Sequence, residues 1–169
     1  MNRLAPLLLL TALSGCGLFG GTTAVPDPVE VKADALGVVI DAPKTWEVKQ
    51  EPQLNRVLFY AGKSGDRDHA VILQKLSSHR TWRQHTDHFR ENQENALDKI
   101  QSEAEHGLHD GGVVFTTRQQ REGRPVVKKL RYYVEIGDDT YLMDMAAPEA
   151  AFDAGLYQAV AKTLRPAAP

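Results

Sequence analysis

The chain has 169 residues, of which 42% are hydrophobic and 25% are charged. Its 20 Lys and Arg residues nearly balance 22 Asp and Glu residues, and the formal net charge of −2 argues against wholesale binding to nucleic acid or anionic lipid. A chain of this size matches one domain and buries about two-thirds of the surface that its unfolded form exposes, so a core requires no metal or disulfide. We expect no cofactor.

The first 15 residues have the order of a secretory signal. Arg3 supplies a positive charge, residues 4–13 are almost wholly apolar, and the small residues Ser14 and Gly15 follow. The apolar run is much shorter than the ~20 residues that a bilayer-spanning helix needs. We therefore predict that residues 1–15 are a cleaved signal and not a permanent transmembrane anchor.

The sole cysteine, Cys16, follows this run directly, in the sequence Leu13-Ser14-Gly15-Cys16. This pattern resembles the lipobox of bacterial lipoproteins, and the resemblance implies cleavage before Cys16 and a lipid on its thiol. Such proteins usually carry two or three acyl chains, since a single chain binds a membrane only marginally. Gly17 resembles the sorting signal for the outer membrane of a Gram-negative envelope. The alternative is an ordinary cleaved signal with a chance cysteine.

Residues 16–34 are rich in glycine and proline and show no sustained period, so we predict a flexible tether behind the lipidated cysteine. As a coil, a tether of this length spans ~20–25 Å on average. The sequence then predicts a single domain over residues 35–165 and a tail over residues 166–169.

The domain opens with a strand in which Leu36, Val38 and Ile40 alternate and which Pro43 ends. Further strands are predicted over residues 45–49, 56–61, 70–76, 113–118 and 126–136, and a last strand follows the hairpin turn at residues 137–139. In residues 126–136 the even positions are mostly apolar, so we expect that face to pack against the core.

Two helices are predicted. A long helix over residues 80–105, with Thr81 as its cap and Gly107 at its end, places one set of side chains on a single face: Trp82, Phe89, Gln93, Ala96, Leu97, Ile100 and Ala104. A closing helix over residues 150–164 turns another set inward: Phe152, Leu156, Ala159, Val160 and Thr163. The fold class is therefore α+β: a mostly antiparallel sheet of about six to seven strands, layered with one long and one C-terminal helix.

Two segments resemble the PsbP-like proteins, a group that includes the Ran-binding release factor and the lipoprotein DcrB. Residues 39–46, which contain Pro43 and end at Trp46, are similar to the strand-Pro-x-x-Trp opening of that family. Residues 152–165 are similar to its closing helix. The resemblance implies a three-layer α-β-α sandwich over residues 36–165. It also implies a binding or assembly role, because the group is not generally enzymatic.

Four histidines are candidate metal ligands: His85, His88, His106 and His109. His85 and His88 lie three residues apart on the predicted long helix, and imidazoles at that spacing are able to share a zinc or copper ion. On a helical wheel, however, His88 points away from the apolar face. Solvated histidines with one partly packed ring are the competing interpretation.

A basic hairpin is the candidate surface for an anionic partner. Its cations are Arg118, Arg121, Arg124, Lys128, Lys129 and Arg131, and Glu122 is the one acid among them. Such a patch fits phosphates of lipopolysaccharide, other anionic envelope polymers or an acidic protein. Alternatively, the charges keep a hairpin soluble, or they complement acids on the long helix.

No common catalytic motif is present, so we predict no catalytic residues. Asp66, Asp68 and His69 share a loop without a nucleophile, and we interpret them as turn residues. We expect a lipid-anchored, non-catalytic binding, adaptor or assembly module of the cell envelope. Its predicted partners are the membrane, through Cys16, and a protein or an anionic envelope component, but not nucleic acid. A small hydrolase or a histidine-rich metal-handling protein is the alternative.

Overall fold

The computed structural model describes residues 24–76, 79–105, 109 and 111–168. The described strands are β1 (Pro28–Ala33), β2 (Val38–Pro43), β3 (Glu47–Glu51), β4 (Arg56–Tyr60), β5 (Ala70–Lys75), β6 (Asp98–Glu105), β7 (Gly112–Gln119), β8 (Val127–Ile136), β9 (Asp139–Pro148) and β10 (Arg165–Pro166). The helices are α1 (Trp82–Glu91) and α2 (Ala154–Lys162).

These strands form two antiparallel sheets. The large sheet has seven strands in the order β3-β4-β5-β9-β8-β7-β6, and the small sheet has three in the order β1-β2-β10. The α+β class and the mostly antiparallel sheet predicted from the sequence are confirmed. The hairpin turn between β8 and β9 is also confirmed, and Gly137 supplies its positive φ of 62°.

The main core lies between one face of the large sheet and a layer made of α2 and the small sheet. Phe59, Tyr132 and Met143 from the large sheet pack there with Ile40 from β2 and Tyr157 from α2. The even positions of β8 point into this core, as their alternation predicted. Pro43 ends β2 as expected, and Trp46 is buried in the same core.

Helix α1 covers the opposite face of the sheet. Its Trp82 is buried with Val113, Phe115 and Tyr133, and the Phe89 ring meets the Phe115 ring edge-on at 5.2 Å. Thr81 caps the helix as predicted: its hydroxyl accepts from the Gln84 amide, and the Gln84 side chain accepts in return from the Thr81 amide. The molecule therefore has helical layers on both faces of one sheet.

The prediction of one helix over residues 80–105 is wrong beyond Glu91. Residues Asp98–Glu105 instead form β6, the edge strand that pairs with β7. The apolar periodicity fails as a guide there, because Leu97 is 63% exposed. The N–H of Ile100 donates to the Gln93 side chain at 2.9 Å, so the segment after α1 folds back on the start of this edge.

The predicted tether over residues 16–34 also contains structure. Residues Pro28–Ala33 form β1, which pairs with the whole of β2, and Val25 packs against the main core. The sequence does not predict this strand, because most of its side chains are exposed and no fully buried apolar face marks it. The closing helix is shorter than the predicted 150–164, because a turn of 3-10 helix, Glu149–Ala151, precedes it.

Candidate binding groove

Three cations lie in a row across the strands at one end of the large sheet. Lys99 on β6 is directly opposite Arg118 on β7, and Arg118 is directly opposite Lys128 on β8. Directly opposite residues of antiparallel strands share a face, so all three side chains lie on the face that carries Leu130. This set, Lys99, Arg118 and Lys128, is called the cation row below.

Glu149 is the carboxylate that meets the cation row. It lies in the 3-10 turn before α2, and its oxygens are 2.9 Å from Lys128 Nζ and 3.5 Å from Arg118 Nη2. The hydrogen bond from Lys128 holds the pKa of Glu149 below the usual glutamate range, and the charge of Arg118 acts in the same direction. Lys99 instead donates to the carbonyl oxygens of Gln93 and Glu94, at 2.6 and 2.8 Å.

The cation row lies in a surface groove made of two adjoining basins, which share Gln101 and Arg118. The larger basin, of about 540 Å³, has Leu130, Phe152 and Ala154 among its lining residues. The smaller, of about 420 Å³, lies against Ala96 and Leu97. The groove therefore has apolar side chains at both ends and charged side chains between them.

The β6 edge beside this groove is protected against pairing with another strand. The register shifts between Ile100 and Ser102, and the Gln93 side chain already binds the Ile100 N–H. Irregularities and occupied backbone groups at a sheet edge discourage strand addition. The face of the sheet inside the groove, and not the edge of β6, is therefore the surface that a partner is able to contact.

The predicted basic patch does not form one surface. Arg118 and Lys128 lie in the groove, whereas Arg121 and Arg124 lie in the β7–β8 loop, 4.0 and 3.7 Å from Asp68. Lys129 and Arg131 point to the opposite face of the sheet, because they occupy odd positions of β8. Each of the six cations has an acidic neighbour, so the prediction of one continuous anion-binding patch needs correction.

Lys129 and Arg131 belong to an ion cluster beside α1. Arg131 Nη2 is 2.8 Å from Asp144 and 3.2 Å from Asp98, and Lys129 Nζ is 3.1 Å from Asp98. The Arg131 guanidinium also lies over the Phe89 ring, 4.6 Å from its centre. Burial disfavours the charged guanidinium, but the charge of Asp144 and its hydrogen bond outweigh burial and raise the pKa of Arg131. This cluster joins α1 to the sheet.

The three candidate histidines that the structure describes are not brought together. His85 is half-buried on α1, whereas His88 is exposed and contacts Asn92. His109 lies on the other side of the sheet, where its ring nitrogens are 2.8 Å from Tyr132 Oη and 3.2 Å from the Leu164 carbonyl oxygen. His106 lies outside the described residues. Within the described ranges, no group of three or more His, Cys, Asp or Glu side chains is arranged to hold a metal ion.

The acidic loop before β5 has a structural role. Asp66 accepts a hydrogen bond from the Asp68 amide and so caps the turn of 3-10 helix Arg67–His69. Asp68 meets the arginines of the β7–β8 loop. Both contacts agree with the interpretation of Asp66, Asp68 and His69 as turn residues.

Cys16 and the rest of the predicted signal lie outside the described residues. Among the helices of residues 24–168 that the structure describes, none is long and apolar enough to span a bilayer.

Sequence reasoning missed three members of the groove: Lys99, Glu149 and Phe152. Lys99 was placed on a helix, so its register with Arg118 and Lys128 was hidden. Phe152 packs against the main core, as its predicted inward position requires, but it precedes α2 and its half-buried side chain also lines the groove. A strand prediction for residues 98–105 would have revealed the cation row.

No protein-family model matches the chain, and no curated protein does so. Solved structures of similar fold include the following three. PA94 of Pseudomonas aeruginosa, a protein of unknown function, is 15% identical with a TM-score of 0.54, over 84% of this chain and 99% of that chain. A protein from Bacteroides thetaiotaomicron is 14% identical with a TM-score of 0.53, over 82% of this chain and 48% of that chain.

The third structure is the cyanobacterial PsbP protein, CyanoP, of Synechocystis. It is 17% identical with a TM-score of 0.54, and the match covers 92% of this chain and 99% of that chain. Identities this low concern the fold alone. They agree with the PsbP-like resemblance found in residues 39–46 and 152–165, and the chain has a PsbP-like α+β fold.

Proposed function

We propose that this chain is a lipid-anchored, non-catalytic binding module of the cell envelope, and that the groove around the cation row receives a partner protein. The observation that carries the proposal is the groove itself, which combines apolar ends with a charged centre. Clefts that place a few polar groups among apolar ones are the usual form of a binding site.

The anchoring part of the proposal rests on the sequence Leu13-Ser14-Gly15-Cys16 behind an apolar run. In a Gram-negative host, the lipid on Cys16 holds the domain at the outer membrane, facing the periplasm. Cys16→Ser removes the acceptor thiol, so the folded domain is expected to leave the membrane fraction. A Cys16→Ser protein that sediments with membranes as fully as the parent chain contradicts the anchor.

The binding part is tested by a photo-crosslinking amino acid placed in the groove of the anchored protein in intact cells. Gln101 and Ala154 are the test positions, because both line the larger basin and they lie on different elements. Lys63, an exposed residue of the β4–β5 loop, is the control position. We expect both groove positions to crosslink to the same envelope protein and Leu97→Arg, a change at an exposed groove residue, to weaken that product. Equal crosslinking from Lys63, or none from the groove, contradicts the proposal.

A further inference from the structure

We infer that the ligand of this groove is an extended acidic segment of a partner protein, with two carboxylates over the cation row and apolar side chains at the two ends. This inference rests on the proposed function, which it makes specific. It follows from the charge of the row, from its position between apolar residues, and from the spacing of adjacent strands.

The cation row carries more positive charge than its surroundings neutralise. Like charges directly opposite one another on neighbouring strands are destabilising, and here they occur twice in succession, from Lys99 to Arg118 and from Arg118 to Lys128. Among the described residues that line the groove, Glu149 is the one carboxylate. The carbonyl oxygens at Lys99 supply only partial charges. Two positive charges are therefore in excess, on a chain whose formal net charge is −2.

The order of side chains along the groove selects a peptide over a lipid or a free phosphate. Leu97 lines only the smaller basin and Phe152 only the larger, whereas Arg118 lines both. A lipid headgroup places its anion at one end of an apolar chain, and inorganic phosphate has no apolar part. A polypeptide is able to present acidic side chains between apolar ones, which matches the order in the groove.

The spacing also fits an extended segment. Adjacent strands lie about 4.7–4.9 Å apart, so the three cations span ~10 Å across β6, β7 and β8. Alternate side chains of an extended peptide are about 6.6–6.8 Å apart, less than the span of the row, so carboxylates at positions i and i+2 both fit over the three cations. Glu149 already occupies the gap between Arg118 and Lys128, and its half-exposed side chain is an internal competitor for an incoming carboxylate.

The test is selection from a random library of 12-residue peptides displayed on phage, against the full chain in detergent micelles. We expect enrichment of two acidic residues at positions i and i+2 between apolar residues. Synthetic peptides from the selection are expected to bind at least tenfold more weakly to Arg118→Gln and to Lys128→Gln, and more weakly at higher salt. Arg83→Gln on α1, whose cation meets Glu105 on the other face, is the matched control and keeps parental affinity.

Glu149→Gln supplies a prediction of opposite sign. Removal of the competing carboxylate frees Arg118 and Lys128, so peptide affinity is expected to rise several-fold in a variant with fewer ionic contacts. A merely structural role for Glu149 predicts a loss. Circular dichroism establishes that each variant is folded. Lys99→Gln, at an exposed edge position, measures what the third cation of the row contributes to peptide affinity.

Inorganic phosphate and phosphatidylglycerol vesicles are the remaining probes. The inference is overturned if enriched peptides lack acidic residues, if their binding ignores both Arg118→Gln and Lys128→Gln, or if vesicles bind more tightly than any peptide through the same cations. Crosslinks from Gln101 that persist in these variants would leave the proposed function intact and reject only the acidic ligand. Absence of groove crosslinks would reject the proposed function itself.

Discussion

Tyr141 donates a hydrogen bond of 2.7 Å from its hydroxyl to the backbone carbonyl oxygen of Leu36, a residue 105 positions earlier in the chain. Tyr141 lies on β9, in the middle of the large sheet, and Leu36 lies in the 3-10 turn that leads into β2. Both side chains are nearly inaccessible to solvent. This bond therefore ties the small sheet to the large sheet inside the main core, where water does not replace a lost partner.

Tyr141→Phe is expected to destabilise the domain by about 1–3 kcal/mol, because the buried carbonyl of Leu36 loses its donor. Burial raises the pKa of Tyr141 to about 12, above that of an unfolded tyrosine. Its contribution to stability is thus complete below pH ~10 and is lost as the pH rises through about 12. Urea unfolding at pH 7 and pH 11 measures both effects.

The matched control for that experiment is Tyr60→Phe. Tyr60 is also buried on a strand, but its hydroxyl has no hydrogen bond among the contacts of the described chain. A smaller loss at pH 7 is expected for this variant. Equal losses for the two variants would mean that the bond to Leu36 adds nothing beyond the packing of the ring.

Gly112→Ala is expected to destabilise β7 through a clash. A Cβ atom at Gly112 would lie 2.7 Å from the Tyr133 carbonyl oxygen and 3.0 Å from the Tyr132 ring. Overpacking of this kind costs about 1–3 kcal/mol, and a domain of this size loses about 2–4 °C in Tm for each kcal/mol. Differential scanning calorimetry measures the change.

Gly37 provides the contrast, because its φ is +72° and no atom lies within 4 Å of an added Cβ. Gly37→Ala is destabilising through backbone strain alone, and Asn tolerates that conformation better than Ala. Gly37→Asn should therefore recover part of the lost Tm, whereas Gly112→Asn should not. A recovery of Tm by Gly112→Asn would contradict a steric clash at this position.

Arg131→Met removes the cation that Asp98 and Asp144 share. The two carboxylates are largely buried, and removal of one partner of a buried pair costs about 3–5 kcal/mol. Replacement of Asp144 as well, by Asp144→Asn, is expected to recover most of the loss, because Asp98 keeps its contact with Lys129 at 3.1 Å. Urea unfolding of the single and double variants measures the difference, and a double variant as unstable as Arg131→Met would contradict this explanation.

The sequence predicts most of the strands around the main core, because alternation is clear where one face of a strand is buried. The even positions of β8 and the cap at Thr81 are examples. Residues 92–105 mislead for a physical reason. Ala, Leu, Glu, Gln and Lys are strong helix formers, yet their preference is below ~1 kcal/mol per residue, and pairing with β7 outweighs it. That error concealed the groove, since Lys99 joins Arg118 only when residues 98–105 form a strand.

The connection between α1 and β6 depends on Gln93. Its side-chain oxygen accepts from the Ile100 N–H at 2.9 Å, and its side-chain nitrogen donates to the Phe89 carbonyl oxygen at 3.2 Å. Gln93→Ala is expected to cost about 1 kcal/mol and to leave the Ile100 amide at an open sheet edge. Hydrogen exchange at Ile100 should become faster, while exchange in β9 is unchanged. Equal exchange rates at Ile100 in the parent and in Gln93→Ala would mean that the Gln93 side chain does not protect this edge.

For a chain anchored through Cys16, as proposed above, β1 limits the distance between the domain and the membrane. Because Val25 packs on the core and β1 pairs with β2, only the eight steps from Cys16 to Ala24 remain as a link. At about 3.6 Å per residue, a fully extended link of that length reaches ~29 Å. If Cys16 carries the lipid, Ala24 and its neighbour in the same cleft, Lys162, lie within about that distance of the bilayer surface.

This distance is measurable, because the proposed lipid would consume the thiol of Cys16 and leave Lys162→Cys as the one free thiol for a fluorophore. Energy transfer to headgroup-labelled lipids is expected to be strong. It should fall when ten Gly and Ser residues are inserted between Thr23 and Ala24, since the maximal reach then rises to ~65 Å. Equal transfer from the parent and the extended chain would show that the link is not what holds the domain near the membrane, and a surface of the domain itself would have to do so.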